Sequence, residues 1–130
     1  MAESRTTKRT GRHPATKDSA DAKFRAFSDP TRLRILHLLQ GGELCVGDLV
    51  QIIQVPQPTA SRHLAYLRRT ELVTARKDGV WTYYTLAAPH NRFHQKLLEC
   101  PTHCFEEVRE LKTDAVRAAK LRRGGGCCPK

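Results

Sequence analysis

Two prolines separated by one residue constrain the middle of this chain more than any other feature. In Val55-Pro56-Gln57-Pro58 the residue before each proline is pushed out of the α-helical region, so the backbone there is extended or turned. Pro58 itself suits the first turn of a helix, where its missing N–H is not needed. The chain therefore turns at this point, and a new helix begins near Pro58.

Both sides of this turn carry the apolar spacing of a short helix. Before the turn, one helix face carries Cys45, Leu49, Ile52 and Ile53. After the turn, the apolar stripe consists of Ala60, Leu64 and Leu67. The opposite face of this second helix presents hydrogen-bonding and cationic groups, namely Thr59, Arg62, Tyr66 and Arg69. Such a face is what a helix needs in order to read a DNA groove.

The flanking segments predict three more elements. Asp29-Pro30, a capping residue followed by proline, predicts a helix from about Pro30 to Gln40. Asp78-Gly79 lies between two β-prone runs and predicts a hairpin over about residues 72–86, with two cations at its tip. From Pro89 onward one helical stripe is predicted, interrupted or kinked by Pro101 and containing Phe93, Leu97, Cys100, Cys104, Val108 and Leu111.

Composition excludes a membrane-spanning role and favours a polyanionic partner. Apolar residues make up 39% of the 130 residues, and no apolar run approaches the roughly 18 residues that a membrane span needs. The net charge of +10 points to nucleic acid first and to an anionic membrane surface second. The N-terminal segment lacks the apolar stretch of a signal peptide, so we expect a cytoplasmic protein.

The sequence divides into one folded domain and two flanks. Residues 1–21 are basic and almost without apolar side chains, which predicts a disordered arm. Residues 22–120 predict one folded domain, and residues 121–130 a flexible tail rich in glycine and cysteine. The chain contains no phosphate loop, nucleotide fingerprint or nucleophile elbow, so we do not predict an enzyme.

Four stretches of the chain resemble the ArsR/SmtB family of metalloregulatory repressors. They are FSDPTRLRILHLL, ELCVGDL, PTASRHLAYLRRTELV and RKDGVWTYYTL, in the family's order over about residues 22–110. The resemblance implies a mainly α-helical winged helix-turn-helix with a β-hairpin wing, which dimerises through its first and last helices. It also implies a homodimer that represses transcription at double-stranded operator DNA until an inducer binds.

The resemblance and the exposed helix face together give the candidate DNA-binding residues. Family positions on the recognition helix are Gln57, Thr59, Ser61, Arg62 and His63, those on the wing are Arg76 and Lys77, and the helix face adds Tyr66 and Arg69. Arg62 is suited to fork onto guanine. Two residues keep a second interpretation. His63 fills space beside Leu64 or contacts a phosphate without reading sequence, and Tyr66 is half-buried.

The chain has five cysteines, which is an odd number, and we find no export signal in it. Both observations argue against a disulfide framework. Arsenic-sensing relatives often carry two cysteines within ELCVCDL, whereas here Cys45 is followed by Gly47 at the second position. A soft ion that prefers three thiolates must therefore recruit further thiols. Cys100 and Cys104 lie one helical turn apart and are the first choice. The candidate metal ligands are Cys100, Cys104, Cys45, Cys127 and Cys128.

The preferred inducer is arsenite or antimonite, or an organoarsenical, with no constitutive cofactor. Packing alone is the other interpretation of Cys45 and Cys104, and the terminal pair can be an incidental tail. A thiol-redox or persulfide switch is the alternative inducer chemistry. A zinc site at His90 and His94 is disfavoured, because the family's aspartate and distal histidine positions read Ala88 and Pro101. A non-specific nucleic-acid-binding protein is the remaining alternative to a repressor.

Overall fold

The computed structural model describes residues 20–103 and 107–126 of the chain. The first half comprises α1 (Ala20–Phe27), α2 (Pro30–Leu39), β1 (Leu44–Cys45), α3 (Val46–Ile53) and α4 (Gln57–Arg69). The second half comprises β2 (Val73–Asp78), β3 (Trp81–Leu86), α5 (Arg92–His103) and α6 (Arg109–Arg123). This is the predicted mainly helical winged helix-turn-helix. The arm predicted for residues 1–21 lies outside the described residues, except that α1 already begins at Ala20.

Helix α2 lies at the centre of the fold. The Asp29 carboxylate caps it by accepting hydrogen bonds from the backbone N–H groups of Thr31 and Arg32, at 2.8 and 3.1 Å. Pro30 occupies the first turn, and the side chains of Ile35 and Leu36 are fully buried. Because α2 is apolar on more than one side, it packs against α1, α3, α4, α5 and α6. The helix predicted from Asp29-Pro30 is confirmed.

The helix-turn-helix consists of α3, a short turn and α4. The turn begins at Gln54, whose backbone is left-handed with φ of 60° and ψ of 49°, and Pro58 lies in the first turn of α4. Ala60, Leu64 and Leu67 are fully buried, as their spacing predicts. The buried stripe of α4 fixes which of its faces points away from the domain.

The three strands form an antiparallel sheet in the order β1-β3-β2. β2 and β3 are the predicted hairpin, with Val73 opposite Leu86 and Asp78 opposite Trp81, and Gly79 takes a φ of 64° in the turn. Strand β1 is not predicted from the sequence. It pairs Leu44 with Tyr84 on β3, and so joins the wing to the start of α3.

The helical region predicted from Pro89 onward, with an interruption or kink at Pro101, is indeed divided into two helices, but the break comes after His103, so Cys100 and Leu111 do not share one stripe. α5 contains Pro101 in its last turn and ends at His103, while Val108 is the N-cap of α6. Pro101 lacks a backbone N–H, and helices rarely continue far past such a residue. α6 then runs to Arg123, beyond the boundary at residue 120 that the sequence predicts.

A buried ion pair attaches α6 to the body of the domain. Arg34 Nε and Nη2 donate to the two carboxylate oxygens of Asp114, at 2.8 and 2.9 Å, and Nη2 also donates to the carbonyl of Ile53 at 3.0 Å. Asp114 is fully buried, and its hydrogen bond raises the pKa of Arg34. Arg117 on the next turn donates to the Ile52 carbonyl at 2.9 Å. These contacts hold α6 against α2 and α3.

None of the helices in the described part of the chain is long and apolar enough to cross a membrane.

Candidate nucleic-acid interface and thiol groups

The outward face of α4 carries most of the candidate DNA-binding residues. Gln57, Ser61, Arg62 and Arg69 are exposed, whereas Thr59, His63 and Tyr66 are partly buried. Arg62 makes no hydrogen bond or ion pair with any residue that the structure describes. Its guanidinium group therefore has its full set of N–H donors available for an external acceptor.

Tyr66 lies between two arginines and against the core. The guanidinium of Arg32 lies 4.1 Å from the centre of its ring, and that of Arg69 lies 5.3 Å away. The ring also packs against the main apolar cluster, as the half-buried interpretation requires. Tyr66 is therefore partly buried and contacts Arg69 through a cation–π interaction.

His63 interacts mainly with its own domain. Its Nδ1 is 3.3 Å from Nη1 of Arg32 and 4.0 Å from the Asp29 carboxylate. Burial lowers the pKa of His63, while Asp29 opposes this shift and Arg32 and Arg62 reinforce it. A neutral imidazole accepting from Arg32 satisfies this geometry. Nδ1 is therefore engaged within the protein, and only the other ring nitrogen remains to be offered to a phosphate.

The wing cations do not lie where the sequence predicts them. Arg76 and Lys77 lie opposite Tyr83 and Thr82 in the hairpin, two and one residue pairs before the last pair, so neither is at the tip. The Arg76 guanidinium donates to both carboxylate oxygens of Glu43, at 2.8 Å each, and lies 4.5 Å from the centre of the Tyr83 ring. The hydrogen bond to Glu43 raises the pKa of Arg76. Lys77 is exposed, and the described residues hold no ion-pair partner for it.

The two described cysteines differ in chemical state. Cys45 is fully buried at the N-cap of α3, where its Sγ accepts a hydrogen bond from the Asp48 backbone N–H at 3.4 Å, and it is disulfide-bonded. Cys100 is exposed on α5 and is a thiol. Cys104, Cys127 and Cys128 lie outside the described residues. A disulfide sulfur is not a thiolate ligand, so Cys45 can enter a metal site only after reduction.

His90 and His94 are not arranged as a pair of metal ligands. His94 is fully buried, and its ring Nδ1 accepts a hydrogen bond from the His90 backbone N–H at 3.1 Å. The backbone N–H of His94 donates to the side-chain oxygen of Asn91 at 2.8 Å. The His90 ring points instead toward Glu71, at 3.4 Å. Among the side chains that the structure describes, in residues 20–101 and 107–126, no three His, Cys, Asp or Glu groups are placed together to hold a metal ion.

One buried lysine links α1 to the recognition helix and is not predicted from the sequence. Lys23 is 2% exposed, and its Nζ donates to the carbonyl of Thr70, the C-cap of α4, at 3.2 Å. A cation at the C-terminus of a helix is favoured by the helix dipole. Nothing in the local sequence distinguishes Lys23 from the other basic residues near the N-terminus.

The fold and the outward face of α4 define a winged helix-turn-helix protein, a class that binds DNA. The model of the family described as "Bacterial regulatory protein, arsR family" matches residues 29–75. The arsenical resistance operon repressor of Escherichia coli is 40% identical over 85 residues, which cover 65% of this chain and 73% of that protein. The repressor of the same name from Staphylococcus xylosus is 50% identical over 63 residues, which cover 48% of this chain and 61% of that protein.

A solved structure agrees with these sequence relatives. HlyU from Vibrio cholerae superimposes with a TM-score of 0.58 at 31% identity, covering 68% of this chain and 89% of that one. The chain belongs to the ArsR/SmtB family and is a DNA-binding transcriptional repressor of the winged helix-turn-helix type. Its homologues are transcriptional regulators.

Proposed function

We propose that this protein is a homodimeric repressor that leaves its operator when arsenite or antimonite binds its cysteines. The observation that carries the DNA-binding half is the outward face of α4, where Arg62 is exposed and has no hydrogen-bond or ion-pair partner among the described residues. An arginine in this state forms two parallel hydrogen bonds to guanine in the major groove. Gln57, Ser61 and Arg69 flank it, and Lys77 on the wing contacts the DNA backbone.

The dimer interface is proposed on the α1 side of α5. Phe24 on α1 is 56% exposed although it is a large apolar residue, and its ring packs edge-on against Phe93 of α5 with centroids 5.3 Å apart. An exposed aromatic side chain of this kind is stabilised when a second copy covers it. The family resemblance supports the α1 part of this face, because it implies dimerisation through the first helix together with the last, which here is α6.

The inducer site is proposed at Cys100 and Cys104. Cys100 is exposed as a thiol on α5, the helix that contacts α1 through Phe93. The similarity to arsenical resistance operon repressors supports arsenite as the inducer. A ligand that bridges two thiols beside Pro101 would change the end of α5 and shift one subunit against the other. The two copies of α4 would then no longer fit successive major grooves.

The test uses fluorescence anisotropy to monitor the release of operator DNA from the protein while arsenite is added. We expect Cys100→Ser and Cys104→Ser each to leave DNA binding intact and to abolish release. To convert a mostly bound operator into a mostly unbound one, the inducer must favour the released state by about 5 kcal/mol, which one weak contact does not supply. Cys45→Ser and removal of Cys127 and Cys128 should have smaller effects. Normal release from the double variant at Cys100 and Cys104 would contradict this site.

A thiol-redox repressor is the second candidate, favoured by the disulfide at Cys45. In this case an oxidant, and not arsenite, releases the operator. Adding the two inducers separately to the same anisotropy assay distinguishes them. A non-specific nucleic-acid-binding protein would instead show no preference for one palindromic site over random DNA at any salt concentration.

A further inference from the structure

We propose that the cleft between α3 and α6 binds a small monocarboxylate with an apolar chain, and that this ligand weakens operator binding. The described walls of the cleft contain no cysteine, so the site is separate from the inducer site proposed at Cys100 and Cys104. Ligand binding does not depend on the proposed function, whereas the effect on the operator rests on the repressor mechanism.

The size and lining of the cleft are the first observation. The cleft has a volume of about 360 Å³ and opens to solvent between α3 and α6. Small-molecule sites in proteins have volumes of about 300–1,000 Å³, so this cleft suits a ligand of low molecular weight. Its walls are more apolar than polar, and they include Ile52 of α3 and Leu121 of α6. An apolar chain is therefore favoured there over a sugar or a nucleotide.

Two cations on one wall of the cleft are the second observation. Arg117 and Lys120 are three residues apart on α6, so their side chains lie on the same face of the helix. Lys120 is exposed and has no ion-pair partner among the described residues. Arg117 uses Nη1 to donate to the Ile52 carbonyl, and its other N–H groups make no hydrogen bond to a described residue. Because the described walls contain no carboxylate, these cations can hold the carboxylate of a ligand.

The charge near the other end of the cleft fixes the orientation of the ligand. A Cβ built on Gly126 would lie 3.1 Å from a carboxylate oxygen of Asp48, which is buried one turn before Ile52 on α3. A carboxylate is repelled from this end and attracted toward Arg117 and Lys120. The apolar chain of the ligand therefore points toward Gly126.

The position of Arg117 connects the cleft to the helix-turn-helix. Arg117 Nη1 donates to the Ile52 carbonyl at 2.9 Å, and Arg34 Nη2 donates to the Ile53 carbonyl at 3.0 Å. The last carbonyls of a helix have no partner within it, and cations are favoured there. The two arginines therefore fix the end of α3, directly before the turn that leads to α4. A carboxylate that draws Arg117 away from Ile52 leaves this end less firmly held, which disfavours the arrangement that binds DNA.

The first experiment measures ligand binding by isothermal titration calorimetry, with the full-length protein and sodium butyrate, hexanoate or octanoate. We expect one octanoate to bind per chain, in a saturable manner. Burial of each further CH₂ group should raise the affinity roughly fourfold along the series. Octanamide has the same chain with a neutral head and is the control for charge, so it should bind about tenfold more weakly.

Three substitutions on α6 test the position of the anionic head. Lys120→Gln should lower the affinity for octanoate about tenfold, because it removes an exposed cation without disturbing the fold. Arg117→Gln should lower it as much, and its effect on folding is measured separately by circular dichroism. Arg123→Gln is the matched control, because Arg123 is exposed on the same helix but does not line the cleft. It should bind octanoate as the wild type does.

The second experiment measures operator affinity by fluorescence anisotropy, with and without saturating octanoate. Sodium chloride replaces sodium octanoate at equal ionic strength in the reference titration, because salt alone weakens DNA binding. We expect octanoate to lower the operator affinity of the wild type and of Arg123→Gln about tenfold, which is an ordinary size for allosteric coupling. At the same octanoate concentration the effect on Lys120→Gln should be much smaller.

Three calorimetric results would overturn the site. They are no saturable binding of octanoate, equal binding of octanoate and octanamide, and equal octanoate binding by Lys120→Gln and Arg123→Gln. Saturable binding that leaves operator affinity unchanged would contradict the effect on α3. Because the calorimetry uses no DNA, a protein that binds octanoate but no operator would contradict the repressor function and not the site.

Discussion

Arg62 and Arg76 are both exposed arginines on the proposed DNA-binding surface, but their guanidinium groups have different surroundings. Arg76 forms a bidentate ion pair with Glu43 and lies over Tyr83, so it is held within the wing. Arg62 has no such partner among the described residues. Arg76 can contact a phosphate only if its ion pair with Glu43 breaks. Arg62 can bind an acceptor without breaking an interaction with any described residue.

We therefore predict that Arg62→Ala weakens specific operator binding by roughly 1–3 kcal/mol while leaving helical content and dimerisation unchanged. Arg62→Lys is the matched control, because it keeps the charge but does not have the two-pronged donor geometry. If Arg62 reads a base, the lysine variant should lose preference for the operator almost as much as the alanine variant. Equal operator affinity of all three proteins in anisotropy titrations would mean that this face of α4 does not enter the groove.

Two partly buried histidines, His37 and His63, lead to a prediction of how stability depends on pH. Burial lowers the pKa of His37 and of His63 below the ordinary 6.5, against an opposing effect of Asp114 on the first and of Asp29 on the second. As the pH falls to about 6.5, these two histidines therefore take up protons in the unfolded chain but not yet in the folded protein. Stability should be constant above it and fall as the pH decreases below it.

The measurement is urea denaturation between about pH 7.5 and about pH 5.5, a range above the titration of most carboxylates. Replacing both His37 and His63 by glutamine should flatten the pH dependence. A wild-type protein that becomes more stable on acidification in this range would contradict the assignment.

At the scale of elements, the turn between α3 and α4 carries a left-handed residue that is not glycine. Gln54 has φ of 60° at the C-cap of α3, where a side chain costs energy that glycine does not incur. Gln54→Gly should therefore stabilise the protein by about 1 kcal/mol. Gln51→Gly, in the interior of the same helix, should destabilise it by about 1 kcal/mol. Opposite signs in thermal denaturation confirm the turn geometry, and equal signs contradict it.

The elements that were predicted are those whose signals are local. Asp29-Pro30 marks α2, the paired prolines mark the turn before α4, and Asp78-Gly79 marks the hairpin, because each involves backbone preferences of adjacent residues. The buried stripe of α4 follows from helical spacing in the same way. These signals sufficed to identify the recognition helix and its outward face.

The features that were missed depend on residues far apart in the chain. Strand β1 has two residues, too few to show any periodicity, and exists because β3 is beside it. Arg34 and Asp114 are separated by 80 residues, and neither is unusual in its own segment. The spacing of Cys45 predicted a position on a helix face, but its disulfide depends on how the chain folds back.

For the whole molecule, the distribution of charge predicts a role for the N-terminal segment. Residues 1–19 contain five Lys or Arg and two Asp or Glu, with few apolar side chains. We predict that deleting them weakens specific and non-specific DNA binding alike. The slope of log affinity against log salt should become shallower by about 0.9 for each phosphate that the segment neutralises.

A full-length control separates charge from chain length in this experiment. Replacing Arg5, Lys8, Arg9, Arg12 and Lys17 by glutamine keeps the segment but removes its cations. This variant should bind as the deletion does, over a series of salt concentrations. Selective loss of operator preference in either protein, with non-specific binding retained, would show that the segment reads bases.

The pairing of β1 with β3 has a consequence for the DNA itself. Since the wing is joined through β1 to the start of α3, and Arg76 is tied to Glu43, the hairpin has little freedom to tilt relative to α4. A duplex that meets both must adjust its own groove width and curvature to their fixed separation. Sequences that deform easily beside the half-site are then favoured, although no side chain touches those bases. Part of the specificity for the operator would thus come from how easily its DNA bends, and not from contacts to its bases.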